Sequence, residues 1–168
     1  MRLFLAINFD PATKEKLLKI QRRLMECATG NFARPENLHL TVVFLGEVGE
    51  TGAILQSMNT RFNAPVTLEF DRVGTFRRNL YWVGTLPSPA LDALYRGLVD
   101  DLTRAGFSGD WPDRLVPHIT IAREVALRGQ PDLAFEPFSV TARRLSLMKS
   151  ERIGGKLTYT EVYGKSVP

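Results

Sequence analysis

The sequence predicts an α+β fold built as two related lobes about a pseudo-twofold axis, with a cleft between them. Three observations predict it. Runs of alternating apolar and polar residues, rich in β-branched and aromatic side chains, mark strands, and amphipathic runs between them mark helices. A strand-like stretch, Leu38-His39-Leu40-Thr41-Val42-Val43-Phe44-Leu45-Gly46, returns in shorter form as Pro117-His118-Ile119-Thr120-Ile121-Ala122-Arg123. The interval from 39 to 118 is 79 residues in a chain of 168, too long for a solenoid period and suited to a duplicated lobe within one domain over 1–168.

Taken in order, Arg2 to Phe9 reads as a strand. Asp10-Pro11 supplies a helix cap followed by proline at the first helical position. The helix is expected to run to about Ala28. Leu17, Leu18, Ile20, Leu24 and Met25 form its apolar face, and Lys14, Lys16, Lys19, Arg22 and Arg23 its solvated side. Gly30-Asn31 is expected to end it, leaving 32–37 as a loop into the first histidine strand. In that strand His39 and Thr41 should share one face, with Leu38, Leu40, Val42 and Phe44 pointing into the core. Gly46 to Gly52 turns the chain into a short helix over about 53–62.

Val66 to Phe76 and Leu80 to Leu86 read as a hairpin turning at Arg77-Arg78-Asn79. Pro87-Ser88-Pro89 introduces a helix over about 90–105, whose buried stripe is Leu91, Leu94, Tyr95, Leu98 and Leu102. Gly106 ends it, and 108–114 is a loop. The second histidine strand sets His118 and Thr120 against Ile119 and Ile121. An irregular stretch is expected over 124–137, then strands near 138–149 and 157–163. Between these, Arg152-Ile153-Gly154-Gly155-Lys156 lacks the first glycine and the Ser/Thr of a phosphate loop and reads as a hairpin turn.

No apolar run approaches the roughly 18 residues needed to cross a bilayer, so no membrane association is expected. The opening apolar stretch is short and lacks a small-residue cleavage site, so it reads as a strand rather than a leader. One cysteine, Cys27, excludes an internal disulfide framework, and two histidines leave no Cys/His set with zinc-ligand spacing. The expected compartment is therefore the cytosol. A net charge of +4, with 16 arginines against 6 lysines, favours an anionic partner, because the guanidinium fork grips phosphate and stacks on bases.

His39 and His118 are the only histidines, and each is followed two positions later by a threonine, Thr41 and Thr120. With 13 threonines in the chain, that coincidence has a chance under about one in a hundred. Two imidazoles facing one centre can act as base and acid together, since their ordinary pKa leaves both forms available near neutrality. A threonine hydroxyl on the same face can donate to a phosphate oxygen as charge develops there.

The two His-x-Thr strands, with "ENLHLTVVFLG", "PHITIAR", "RLFLAINFD", "RPENLHLT" and "LYWVG", resemble the two-histidine phosphoesterase superfamily, and within it the LigT-like RNA 2′,3′-cyclic phosphodiesterases of the 2′-5′ RNA ligase family. The resemblance covers essentially the whole chain. It implies two antiparallel-rich sheets with outer helices and an active-site cleft between the lobes. It also implies a monomer that uses no metal and no cofactor. The activity implied is opening of a terminal 2′,3′-cyclic phosphate on RNA or a nucleotide to a 2′-phosphate, with 2′-5′ ligation as the reverse. His39 would be the proton donor and His118 the proton acceptor, although the near-symmetry of the motifs allows the opposite assignment.

Thr41, Thr120 and Arg123 would hold the phosphate. Strict alternation from His118 points Arg123 at the core, so it must lie at a strand end or a bulge if it reaches the cleft. Phe32, which stands where many relatives carry tryptophan, and Trp82 and Trp111 are candidates for base stacking or for core packing. Two other readings stay open: hydrolysis of small cyclic nucleotides or of 2′-5′ linkages, and a non-catalytic module that binds RNA ends.

Overall fold

The computed structural model describes residues 1–77 and 79–168. Its elements in order are β1 (Arg2–Asn8), α1 (Pro11–Met25), β2 (Ala28–Phe32), a 3-10 turn (Pro35–Asn37), β3 (His39–Glu47), α2 (Gly52–Arg61), β4 (Val66–Phe76), β5 (Leu80–Thr85), α3 (Pro89–Arg104), β6 (His118–Leu127), β7 (Phe138–Ala142), β8 (Arg144–Ile153) and β9 (Lys156–Ser166). They form two antiparallel sheets, ordered β3-β1-β8-β9 and β2-β6-β5-β4-β7. Helices and sheets share one continuous apolar core, which makes this an α+β fold.

The helices begin as their sequences specify. Asp10 accepts the Thr13 amide at 2.8 Å and Ser88 accepts that of Leu91 at 3.3 Å, each with proline at the next position. Leu17, Leu24, Leu91, Leu98 and Leu102 are fully buried, each contributing about 2 kcal/mol of transfer free energy. The inward faces of β1, β3 and β6 join this core through Leu5, Ile7, Leu40, Ile119 and Ile121. His39 and His118 lie on the opposite faces of β3 and β6.

Several boundaries differ from expectation, each because a pairing between distant segments outweighs a local signal. The first helix stops at Met25, and Ala28–Phe32 is an edge strand paired with β6. Gly30 serves that pairing rather than a helix cap: a Cβ there would stand 3.0 Å from the Arg123 carbonyl oxygen. The second histidine strand runs on to Leu127, so the irregular stretch is shorter, covering 128–137. The single strand expected over 138–149 is two. β7 pairs with β4 in one sheet and β8 with β1 in the other, so the chain changes sheet at Arg143. Sheet membership therefore does not follow the two halves of the sequence. The hairpin pairs Phe76 with Leu80 as expected; Arg78 of its turn lies outside the described residues.

A further difference concerns β3. Leu5 pairs with Val43 and Ala6 with Thr41, so one step on β1 spans two on β3 and Val42 is the extra residue of a bulge. Val42 and Val43 are both buried, and Phe44 emerges 63% exposed. Expected in the core, Phe44 instead lies on the His39 face.

Candidate active site

β3 and β6, the two histidine strands, touch across the junction of the sheets. Each imidazole is held in the same way. Nδ1 of His39 lies 2.7 Å from the Asn37 carbonyl oxygen, and Nδ1 of His118 lies 2.8 Å from that of Val116. A carbonyl can only accept, so Nδ1 carries the proton and donates in both rings. This fixes the tautomer and leaves Nε2 of each ring as the unprotonated nitrogen, able to take up a proton. In His39 that nitrogen accepts from the Thr41 hydroxyl at 2.9 Å. Asn37 is in turn anchored, its side-chain amide donating to the Leu157 carbonyl at 3.1 Å, and Arg34 donates to the same oxygen. The start of β9 is thereby drawn over the loop that delivers His39.

Aromatic rings flank both histidines. Phe4 and Tyr159 each stand 5.0 Å from the His39 ring, Tyr159 edge-on. Phe76 stands 5.0 Å from His118, also edge-on, and Trp82 6.1 Å from it. Trp82 can lie so close because Gly74 and Gly84 beneath it carry no Cβ; one on either would stand within 2.4 Å of the indole. Gly84 is also the cross-strand partner of His118. Burial among these rings pushes both imidazole pKa values down, partly opposed by the carbonyls that accept from Nδ1.

Arg123 reaches the cleft through a second bulge. Tyr81 pairs with Ala122 and Trp82 with Thr120, so Ile121 is the extra residue, and Arg123 returns to the face of His118 and Thr120. Its charge acts on His39, His118 and Tyr159 together. Among the described residues it has no carboxylate partner within 4.0 Å, so its charge is not neutralised there. The carbonyl of Ile121 at this bulge accepts from the Ala33 amide, one residue beyond the end of β2, and from Nε2 of Gln21, both at 2.9 Å. Gln21 projects from α1 and is buried.

The remaining candidates separate. Trp82 borders His118, whereas Phe32 pairs across from the buried Ala122 and packs against the main core. Trp111 is half-buried and donates from Nε1 to the Phe44 carbonyl at 2.7 Å, which ties the loop before His118 to β3. Phe4, Phe76, Tyr159, Gln21 and the two accepting carbonyls escaped sequence reading. The aromatics carried only alternation, which does not say which face is the cleft, and a backbone carbonyl leaves no mark in a sequence. Among the described residues no group of three or more His, Cys, Asp or Glu side chains is gathered as a metal site. The arrangement offers two tautomerically fixed imidazoles, hydroxyls beside them and one unneutralised guanidinium, a set suited to proton transfer at a phosphate.

Comparison with known proteins agrees with this geometry. The profile of the 2′-5′ RNA ligase superfamily matches residues 9–154. An RNA 2′,3′-cyclic phosphodiesterase of Archaeoglobus fulgidus is 31% identical over 140 residues, 80% of this chain and 77% of that protein. One of Thermotoga maritima is 30% identical over 164 residues, 89% of this chain and 87% of that protein. The crystal structure of E. coli LigT complexed with 3′-AMP superposes with a TM-score of 0.86 at 26% identity, covering 99% of this chain and 97% of LigT. With a family profile matched over most of its length and relatives of that identity and coverage, the chain belongs to the 2′-5′ RNA ligase superfamily.

Proposed function

We propose that this chain is an RNA 2′,3′-cyclic phosphodiesterase that opens the terminal cyclic phosphate to a 2′-phosphate by acid–base catalysis from His39 and His118. One observation carries the mechanism: both imidazoles keep the Nδ1 proton on the backbone carbonyl two residues upstream, leaving each Nε2 available, while Arg123 acts on both rings. LigT, solved with 3′-AMP and with phosphate, supports a nucleotide phosphate as the ligand class.

In the forward reaction Nε2 of His118 takes a proton from the attacking water as its oxygen bonds to phosphorus. The bond from phosphorus to the 3′ oxygen breaks, and His39 delivers its Nε2 proton to that oxygen. The product carries a 2′-phosphate and a 3′-hydroxyl. With a 5′-hydroxyl in place of water as the nucleophile, the same two transfers form a 2′-5′ phosphodiester and free the 3′-hydroxyl; running them backwards from that linkage restores the cyclic phosphate and the 5′-hydroxyl. Burial holds both rings neutral in the free protein, so the negative phosphodiester, on entering, favours the proton that His39 must carry. Thr41, whose hydroxyl caps His39 Nε2 in the free site, turns with Thr120 and Arg123 to the non-bridging oxygens, where charge grows in the transition state.

The test is turnover of an oligoribonucleotide ending in 2′,3′-cyclic phosphate, in excess chelator, by wild type, His39→Ala and His118→Ala. Each substitution should lower kcat about 10²–10⁴-fold, with 2′-phosphate as the wild-type product. Turnover indifferent to both histidines, or a 3′-phosphate product, refutes the mechanism.

A further inference from the structure

The row of residues that faces the cleft does not end at His118. Its cross-strand partner on β5 is Gly84, and the partner of Gly84 on β4 is Arg72. Side chains paired in this way stand on one side of a sheet, so Arg72 shares the face of His118. The packing above Gly84 agrees: a Cβ there would meet the indole of Trp82 at 2.4 Å and Cγ of Arg72 at 3.5 Å. Two strand spacings, about 10 Å, separate the backbones of Arg72 and His118. Between them the surface is the Trp82 ring laid against bare backbone.

A bulge turns Arg72 to this face. Phe70 pairs with Thr85 and Arg72 with Gly84, so Asp71 is the extra residue. Leu68 and Phe70 are fully buried, and without the bulge Arg72 would follow them into the core. Asp71 also aims the side chain it displaces. Nε of Arg72 donates to Oδ1 at 2.9 Å and Nη2 to Oδ2 at 3.2 Å. That engages two of the five guanidinium N–H groups. Among the described residues Nη1 has no acceptor, and the side chain is half exposed. A guanidinium held by a carboxylate along one edge and open along the other is preorganised to take a phosphate there. Arg123 already serves the reacting phosphate. In a strand that ends in a cyclic phosphate, the next phosphate is the one on the 5′ oxygen of the terminal nucleoside, a nucleotide step away.

We propose that Arg72 binds this second phosphate, the linkage that joins the terminal nucleoside to the rest of the RNA. The proposal rests on reading the cleft as the site of the cyclic phosphate. It makes Arg72 the residue by which the enzyme prefers an RNA end to a nucleoside 2′,3′-cyclic phosphate.

The experiment measures kcat/KM for wild type, Arg72→Gln and Arg22→Gln, the last removing the same charge from the solvated side of α1. The substrates are an oligoribonucleotide 2′,3′-cyclic phosphate, the same strand with its last linkage replaced by a neutral methylphosphonate, and a nucleoside 2′,3′-cyclic phosphate. Arg72→Gln should lose about 10-fold on the intact strand, mostly through KM, and nothing on the other two substrates. The methylphosphonate should cost wild type the same factor, and Arg22→Gln should stay near wild type on all three. Arg72→Gln within twofold of wild type on the intact strand, an equal loss on all three substrates, or a loss matched by Arg22→Gln overturns the proposal. Wild-type turnover of the nucleoside substrate and its loss in His39→Ala report separately on the cleft. Should turnover be absent, the affinities of wild type and Arg72→Gln for strands ending in 3′-phosphate, with and without the methylphosphonate, make the same comparison by fluorescence anisotropy.

Discussion

The seat of Trp82 offers a way to disturb His118 without touching it. A Cβ on Gly74 would stand 2.3 Å from Cη2 and Cζ2 of the indole, where ordinary contact begins near 3.4 Å. Gly74→Ala therefore obliges the ring to retreat by about 1 Å, since the obstacle is the rigid ring system itself rather than a flexible tip. On its other sides the indole meets Phe76 at 5.2 Å and His118 at 6.1 Å, so the displacement passes to the imidazole. Overpacking of this kind costs about 1–3 kcal/mol of stability, and a misplacement of about 1 Å in a catalytic group costs about 10²-fold in rate. Single-turnover hydrolysis of the cyclic end and thermal unfolding read the two effects separately. Gly84→Ala, with its Cβ 2.4 Å from the same indole, should reproduce both. Combining Gly74→Ala with Trp82→Leu removes the clash, so the pair should be less destabilised than its two parts added. Activity and melting temperature of Gly74→Ala both equal to wild type would refute the claim that a bare backbone under Trp82 holds His118 in place.

Two further perturbations probe the site. Burial, followed by smaller effects that include the charge of Arg123, lowers both imidazole pKa values from the ordinary 6.5, so both limbs of the pH profile of kcat/KM, which reports the free enzyme, should lie below that value. Bound phosphodiester favours the protonated rings, so the kcat profile should be displaced upward, and Arg123→Met should raise the kcat/KM limbs; profiles measured from pH 4 to 9 decide, and limbs at or above 6.5 in the free enzyme count against the buried-imidazole account. Gln21→Met keeps the side-chain volume near constant but takes a donor from the carbonyls of Ala33 and Ile121, held at 2.8 and 2.9 Å. Stability should fall by about 1–3 kcal/mol. Because the second carbonyl belongs to the bulge that aims Arg123, kcat/KM should fall as well; a loss of stability with full activity would show that the bulge holds without Gln21.

Much of the candidate site's layout was legible because its side chains follow period-two spacing. His39 with Thr41 and His118 with Thr120 share faces as alternation requires, and Leu40, Ile119 and Ile121 line the core. Strands were hidden where their reason for existing lies elsewhere in the chain. Ala28–Phe32 has Thr29, Gly30 and Asn31 at its centre, and is extended only because β6 offers it a ladder. The crossing at Arg143 was invisible for a similar cause: 138–149 is one continuous alternating run, and nothing local marks the residue at which its partner changes from β4 to β1.

Alternation fails most consequentially at Val42 and Ile121. One extra residue in a strand turns every later side chain to the opposite face, so a pattern counted from His39 buries Phe44, and one counted from His118 buries Arg123. Both counts are wrong for one reason. In each case the error falls on a residue that the fold returns to the cleft. Two adjacent buried apolar residues, Val42-Val43 and Ile121-Ala122, are the trace a bulge leaves, and on a single strand they look like ordinary core. Their recurrence at the same distance after both His-x-Thr motifs separates a bulge from a lapse in pattern. A duplicated site that inserts one residue twice at the same place keeps the two positions beyond it equivalent. The residues at those positions differ, arginine in one strand and phenylalanine in the other, so two strands of like pattern present unlike chemistry on the histidine face.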